Sequence, residues 1–291
     1  MAAMFLGHAF RYARRKLADL FTNEQWYPAY RFGDLTPDLK DLIEVMPPKD
    51  RYWADPFPVR THDGRVFLFV EEFAYKDPKG RILAMEIDPV RGAGKPFPVL
   101  ERDYHLSYPQ VFAWQGQYWM VPESSQNGTV TLFRCVSFPD RWVEERNLLE
   151  GVQAVDATLE EVDGRWWMFV NVTGHGTGNR DELHLYHAES PLGPWLPHAR
   201  NPVKSDCRGA RPAGRLFRQG GQLLRPAQNC AGGYGTSIVI HRIDVLTTEA
   251  FRETPVGEIV PDWDPKAKRA HTLNRCDGFL VLDLLRRRRR F

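Results

Sequence analysis

The sequence predicts an all-β fold, a five-bladed β-propeller with a short N-terminal helical extension. Three observations support this: a strand pattern that occurs five times, a nearly constant distance in each copy from an anchor residue to a turn glycine, and no helical periodicity after residue 50. The chain of 291 residues is long enough for one large all-β domain. We therefore expect residues 1–48 to form the extension and residues 49–291 to form the propeller.

The N-terminal segment is predicted to form a basic amphipathic helix, outside the blades, that packs on the propeller's flank or on a partner. Basic residues such as Arg11 and Arg14 interrupt any signal-peptide core, and no stretch approaches the roughly 20 apolar residues of a membrane span. A second basic patch lies near the C-terminus at Arg286, Arg287, Arg288, Arg289 and Arg290. Both patches are either solvated or rest on an anionic membrane surface.

The overall composition excludes some classes of partner and site. With 39 basic and 37 acidic residues the formal net charge is only +2, so nucleic acid is not an expected partner. The four cysteines are far apart and form no CxxC pair, which argues against a zinc knuckle or a dense disulfide framework. We expect a cytoplasmic protein, with a peripheral position on the inner face of the membrane as the alternative.

Each copy of the repeat has a short strand, a turn centred on glycine, and a strand rich in aromatic and β-branched residues. The anchors precede the glycine by seven to nine residues and recur every 48 to 60 residues, about the length of a four-stranded blade. The first copy also predicts a third strand at 81–88 and an edge strand at 97–100. The anchors are Asp55, Tyr108, Asp156, Arg211 and His271.

These anchors point to a functional site. The first strand of each propeller blade lines the central axis, so equivalent positions in the five blades converge there, and we expect the inner strands to begin near the anchors. Buried polar groups without partners are costly, and a binding or catalytic site therefore explains the polar anchors better than packing does.

Several motifs resemble known carbohydrate-active propellers. Trp53-Ala-Asp-Pro-Phe, with an aromatic strand after Asp63-Gly64, resembles the opening of the five-bladed glycosidases of the arabinanase, levansucrase and invertase type. The chain is more specifically similar, from about residue 51 to 285, to a propeller domain of bacterial polysaccharide-biosynthesis proteins. This domain also forms the N-terminal part of plant glucosamine inositolphosphorylceramide transferases. The closer similarity lies in Ser107-Tyr-Pro, Val121-Pro-Glu-Ser, Val155-Asp-Ala-Thr-Leu, Asn201-Pro-Val-Lys-Ser-Asp and Ala210-Arg-Pro-Ala-Gly.

The resemblance to the glycosidases implies roles for two of the anchors. Asp55 would be the general base or nucleophile, and Asp156 would orient and tune the acid. Arg211 stands where those enzymes have their acidic glutamate, so the usual carboxylate pair is incomplete at this position.

Two positions remain open for the proton donor, because each follows an apolar strand where burial raises the pKa of a carboxyl group. One is Glu123, at the end of the second strand of blade two. The other is Glu71 or Glu72, at the matching place in blade one. Strand alternation puts these two neighbours on opposite faces, and the resemblance to the closer family favours Glu72.

Cationic and aromatic residues complete the predicted site. Arg211 is expected to hold the two aspartates ionised and to clamp an anionic substrate group, and Arg225 adds positive charge nearby. Lys204 and Arg208 either contribute to the same charge or are solvated. Trp53 and Tyr108 are predicted to stack on a sugar ring, and the other aromatic residues, including Tyr234, are assigned to the core.

His271 has three interpretations. It is a satisfied core histidine, a sugar-binding donor or, as the resemblance implies, the histidine beside a calcium ion or an ordered water on the propeller axis. Calcium needs several oxygen ligands and the sequence offers no dedicated acidic loop, so we assign no metal ligand and no certain cofactor.

These features favour a carbohydrate-active enzyme that acts on a glycosidic bond, by glycosyl transfer in glycan or glycolipid biosynthesis with an anionic substrate group. The expected partners are a glycan, a glycolipid or an activated sugar. The alternatives are an intracellular glycoside hydrolase that uses Asp55 with Glu123 or Glu72, and a non-catalytic glycan-binding propeller. Carboxylate separations of about 5 to 10 Å across an open pocket would favour catalysis.

Overall fold

The computed structural model describes residues 21–36, 38–174 and 176–290. Its strands form five antiparallel sheets, and the predicted all-β, five-bladed propeller is confirmed. The predicted N-terminal helix lies outside the described residues. Within them, no helix has the length and apolar character needed to cross a membrane.

The described chain begins with two strands of the last blade, β1 (Thr22–Phe32) and β2 (Ile43–Glu44). Blade one contains β3 (Arg51–Arg60), β4 (Val66–Ala74), β5 (Asp77–Asp88), β6 (Gly92–Ala93) and β7 (Phe97–Leu100). Blade two contains β8 (Ser107–Trp114), β9 (Gln117–Glu123), a 3₁₀ helix (Ser125–Asn127), β10 (Thr129–Ser137) and β11 (Arg141–Glu150). The predicted third strand and edge strand of the first copy are thus present as β5 and β7.

Blade three contains β12 (Ala154–Val162), β13 (Arg165–Val172), β14 (Glu182–Ala188), β15 (Leu196–Pro197) and β16 (Lys204–Ser205). Blade four contains β17 (Phe217–Gln219), β18 (Gln222–Asn229), β19 (Ser237–Leu246) and β20 (Phe251–Ile259). Blade five ends with β21 (Arg269–Cys276) and β22 (Phe279–Arg289).

The last blade is built from both ends of the described chain, with strand order β2-β1-β22-β21. β1 pairs with β22 along its whole length, from Thr22 opposite Arg289 to Phe32 opposite Phe279. The prediction that residues 1–48 lie outside the blades is therefore wrong for β1 and β2. β1 is an interior strand because its apolar, aromatic run is buried on both faces.

Four inner strands carry a β-bulge at the anchor, which interrupts the ladder and turns the anchor toward the axis. In β3, β8 and β12 the anchor also has a positive φ, +50° at Asp55, +45° at Tyr108 and +57° at Asp156. The register shifts lie between Ala54 and Phe57, Ser107 and Gln110, Val155 and Thr158, and Ala270 and Leu273. Non-glycine residues adopt such φ values rarely, so three blades share a strained backbone at the predicted site.

Blade four departs from this pattern. Its inner strand β17 begins only at Phe217, six residues after Arg211, and Pro212 forms an isolated bridge with Ala227. The expectation that every inner strand begins near its anchor therefore holds for the other four blades.

Apolar side chains between neighbouring sheets hold the blades together. Between blades five and one, Tyr30, Phe279 and Val281 pack with Leu68 and Met85 in one buried cluster. The predicted core tryptophans are buried: Trp119, Trp166 and Trp167.

Candidate active site

Asp55 is buried at the bulge of β3, and all its contacts lie near the axis. Its Oδ1 accepts a hydrogen bond from Thr272 Oγ1 at 2.7 Å and lies 3.3 Å from His271 Nε2. Its Oδ2 accepts a bond from the Tyr108 backbone N–H at 3.3 Å. Burial raises the pKa of Asp55, and the neighbouring His271 opposes this increase.

His271 lies between two buried carboxylates. Its Nδ1 is 2.8 Å from Asp283 Oδ1, and its Nε2 faces Asp55. Burial acts to lower the pKa of His271, but the charges of Asp283 and Asp55 outweigh burial and the pKa is raised. His271 is thus the ion-paired histidine of the first interpretation, and its two ring nitrogens face protein carboxylates rather than a substrate.

The same three residues do not fit a calcium ion. Asp55, His271 and Asp283 bring potential ligand atoms within 4.8 Å of one another. The Asp283 carboxylate, however, already accepts backbone N–H bonds from Asp55, His271 and Thr272. Calcium takes six to eight oxygen ligands, and an imidazolium offers no lone pair. An ordered water beside His271 stays a prediction.

Asp156 and Arg211 form a two-pronged ion pair between blades three and four. Arg211 Nε lies 2.6 Å from Asp156 Oδ2, and Nη2 lies 3.2 Å from Oδ1. Burial raises the pKa of Asp156 to about 6, although Arg211 opposes the increase. Arg211 Nη1 donates to the Asn179 carbonyl at 3.0 Å, and Nη2 lies 3.4 Å from the Tyr234 hydroxyl. Most donors of Arg211 are therefore used within the protein, which disfavours the predicted substrate clamp.

Glu72 is buried but fully paired. It lies 2.7 Å from Arg81 Nη2 and 3.2 Å from Arg51 Nη1, and it accepts a hydrogen bond from Trp53 Nε1 at 3.1 Å. Burial acts to raise the pKa of Glu72, but these donors outweigh burial and the pKa is lowered. The preference for Glu72 as a site residue is therefore corrected, because its carboxylate is a structural anion that faces away from the axis.

Glu71, its neighbour on β4, is in the opposite environment. Burial raises the pKa of Glu71 well above its ordinary value, and the charges of Asp55, Glu123 and Asp156 raise it further. These electrostatic couplings bring the predicted carboxylates of blades one, two and three together around Glu71.

The second strands of the first three blades place polar groups at matching positions. Glu71, Glu123 and Asn171 each lie opposite the residue that precedes the anchor of their blade. Glu123 accepts hydrogen bonds from Ser107 Oγ at 3.1 Å and from the Ser125 backbone N–H at 2.8 Å. The buried amide of Asn171 was missed, although aligning the second strands of the repeats would have found it.

Two predicted stacking residues have structural roles. Trp53 packs in the core between blades five and one and donates its Nε1 hydrogen to Glu72. Tyr108 is fully buried; its hydroxyl lies 2.8 Å from Thr158 Oγ1 and accepts the Gly214 N–H at 2.6 Å. Tyr108 therefore fills space between the blades, and its backbone N–H rather than its ring serves the site.

Arg225 does not face the site. It is fully buried in blade four, where Nε and Nη2 bind Glu253 at 2.8 and 2.7 Å. Lys204 Nζ lies 2.7 Å from the same carboxylate, and exposed Arg208 pairs with Asp206. The predicted extra positive charge is thus neutralised, which an isolated sequence position could not reveal.

The partly exposed rim of the site was not predicted. Tyr234, assigned to the core, is only half-buried, and its ring centroid lies 5.1 Å from that of His271. The guanidinium carbons of Arg211 and Arg180 lie 5.0 and 5.3 Å from the Tyr234 centroid. Burial raises the pKa of Tyr234 well above its ordinary value. Tyr234 and exposed Arg180 lie in loops outside the repeated strands, so the repeat gave no signal for them.

The C-terminal arginines are part of the last blade. Arg286 pairs with Glu44 at 3.1 Å, and Arg287 pairs with Glu24 at 3.7 Å. Contact of the basic patches with a membrane stays a prediction.

Comparison with known proteins identifies the family. Residues 44–283 match the family model described as "Glucosamine inositolphosphorylceramide transferase 1, N-terminal". The chain belongs to this family. It is 38% identical over 210 residues to glucosamine inositolphosphorylceramide transferase 1 of Oryza sativa subsp. japonica, a match that covers 70% of this chain and 28% of the relative. The protein of the same name from Arabidopsis thaliana is 34% identical over 209 residues, with 70% and 27% covered. The match thus spans little more than a quarter of these curated relatives.

Solved structures with similar folds include glycoside hydrolases. Zg3597, a family 117 glycoside hydrolase from Zobellia galactanivorans, has a TM-score of 0.58 at 11% identity and covers 91% of this chain and 90% of its own. The exo-β-1,3-galactanase 1,3Gal43A from Clostridium thermocellum has a TM-score of 0.56 at 12% identity, with 70% and 49% covered. At these identities the similarity shows the fold alone.

Proposed function

We propose that this chain is a carbohydrate-active enzyme whose axial site acts on a glycosidic bond. The observation that carries the proposal is Glu71, a buried carboxyl group whose pKa is raised well above its ordinary value by burial and by the carboxylates of Asp55, Glu123 and Asp156. A carboxyl group that keeps its proton at neutral pH can donate it to a leaving-group oxygen.

Each carboxyl group takes one role in this proposal. Glu71 is the proton donor, and Asp55 is the general base or nucleophile. Asp156 is negatively charged at neutral pH beside Arg211, and it stabilises the positive charge that develops on the sugar in the transition state. The roles of Asp55 and Asp156 follow the resemblance of the repeat to the glycosidases, whereas that of Glu71 follows from its environment.

The reaction we favour is glycosyl transfer in glycan or glycolipid synthesis, with an anionic group on the substrate. Its support is the name of the curated relatives, which are called transferases and whose named substrate contains a phosphoryl group. Arg180, rather than Arg211, is the cation for this group, because it is exposed beside Tyr234 at the rim and forms no ion pair with the described residues.

The test compares two adjacent glutamates. Purified chain is incubated with a panel of aryl glycosides and, separately, with nucleoside-diphosphate sugars and an inositol-phosphate glycolipid acceptor. Glu71→Gln should lose at least 100-fold in turnover. Glu72→Gln, the matched control, should retain turnover at temperatures where circular dichroism shows it folded.

The outcome also separates the function classes. Product from the transfer assay supports glycosyl transfer, and product from aryl glycosides alone supports hydrolysis. Binding of glycans without turnover in either assay would indicate a non-catalytic propeller and refute the proposal, as would full activity of Glu71→Gln.

A further inference from the structure

His105 lies outside the repeated strands, in the loop between β7 and β8, yet it reaches back into blade one. Its ring Nδ1 accepts the backbone N–H of Gly80 on β5 at 2.9 Å. The lone pair of Nδ1 is therefore in use, and the neutral ring carries its hydrogen on Nε2. The backbone of β5 thus selects the tautomer of His105.

The protonated nitrogen faces Glu71. His105 Nε2 lies 3.5 Å from Glu71 Oε1, the same oxygen that accepts the Tyr52 hydroxyl at 3.2 Å. Glu71 Oε2 accepts no hydrogen bond from the described residues. Two donors that share one oxygen leave the other oxygen to carry the proton of the neutral acid.

Gly80 makes this approach feasible. A Cβ atom at position 80 would lie 2.5 Å from the Leu106 carbonyl oxygen, 2.7 Å from His105 Cε1 and 2.9 Å from Glu71 Oε1. Any side chain there would collide with backbone and would separate the imidazole from the carboxyl group. Only glycine lets the loop between blades one and two close on Glu71 in this way.

We propose that His105 is a positioning residue which, together with Tyr52, occupies Glu71 Oε1 and so directs the transferable proton to Oε2. This rests on the proposed role of Glu71 as proton donor. The charged and titratable groups that act on Glu71 are Tyr52 and Asp55 from β3, Glu123 from β9, Asp156 from β12 and His105 from the loop. His105 differs from the three carboxylates because it donates a hydrogen and favours the ionised form of Glu71.

The test titrates Glu71 directly by ¹³C NMR of side-chain carboxyl carbons, with Glu71→Gln to assign its signal. His105→Leu removes the donor and should raise the proton affinity of Glu71 about threefold. His105→Gln keeps an N–H donor near the position of Nε2 and should titrate within experimental error of the wild type. A His105→Leu titration that coincides with the wild type would overturn the proposal.

A second measurement requires no variant. ¹⁵N chemical shifts of the His105 ring in the wild-type protein report which nitrogen carries the hydrogen, and we expect Nε2–H with a bare Nδ1. The opposite tautomer would refute the assignment even if His105→Leu failed to fold. Both measurements read the side chains themselves, so they decide on His105 whether or not the chain turns over a glycoside.

Discussion

The axial site and the cluster around Glu253 in blade four both bury carboxyl groups, but they treat them in opposite ways. Burial acts to raise the pKa of Glu253, yet Arg225, His241 and Lys204 outweigh burial and lower it to about 2. Glu71 on the axis has carboxylates around it, and its pKa is raised. A paired buried carboxylate is therefore a structural anion, whereas an unpaired one stores a proton for chemistry.

The same contrast exists between two adjacent residues. Glu71 and Glu72 share a strand and a degree of burial, 4% and 5% exposed. They differ in which face of β4 they occupy, since Arg51 and Arg81 meet only Glu72. The supply of cations, rather than burial, separates a functional carboxyl group from a structural one.

The largest expected effect is on the axis, at Asp55. Asp55→Asn should lower turnover by about 10² to 10⁴-fold, because it removes the proposed base while keeping shape and hydrogen bonding. Asparagine also tolerates the positive φ of this position, so the free energy of unfolding should change little. Steady-state kinetics together with urea unfolding measure both quantities. A fully active Asp55→Asn chain would remove Asp55 from the mechanism.

In the blade-four cluster we expect a loss of stability instead. Arg225→Met leaves Glu253 buried without its main cation and should lower the free energy of unfolding by about 3 kcal/mol. Arg208→Met is the matched control, because Arg208 is exposed and should change the free energy by less than about 1 kcal/mol. Urea denaturation of both variants checks this. Equal effects would contradict the view that Arg225 is structural.

The pH dependence of stability should separate the two regions. The pKa of Asp156 is about 6 when folded and roughly 3.9 when unfolded, so the folded state binds more protons between these values. Its stabilising contribution is therefore present below about pH 4 and lost as pH rises through 6, by roughly 2 to 3 kcal/mol. Glu253 behaves oppositely, because its contribution is lost only as pH falls toward 2.

Unfolding free energies at pH 4 and pH 7 test this, with Asp156→Asn as the variant. The difference between the two pH values should shrink in the variant. The difference is the readout, rather than either absolute value, because the substitution also leaves Arg211 without its anion. An unchanged difference would show that Asp156 is ionised throughout this range.

The smallest effect concerns the rim. Arg180→Gln should weaken binding of inositol phosphate about fivefold at low salt, since an exposed guanidinium contributes about 1 kcal/mol. Arg211→Lys should alter this affinity less, because Arg211 is engaged with Asp156. Calorimetric titration at two salt concentrations compares them. If Arg211→Lys has the larger effect at low salt and Arg180→Gln has none, the original clamp is restored.

The sequence predicted the parts of the molecule that repeat. Constant spacing between anchor and glycine located the blades, and convergence on the axis brought Asp55 and Asp156 into one site. It could not choose between Glu71 and Glu72, because strand alternation separates two faces without showing which one meets the arginines. Tyr234, Arg180 and His105 lie in loops, where no periodicity constrains side-chain position. The partner of Arg225 lies on a different strand and was equally invisible.

The pairing of β1 with β22 has a practical consequence for choosing fragments. The family match begins at residue 44, after β1, so a fragment cut there would keep all five anchors and lose the strand beside β22. The last blade would then expose an apolar edge that invites aggregation. Because Thr22 and Arg289 must meet across almost the whole chain, we also expect this seam to close late in folding, after the other blades have formed.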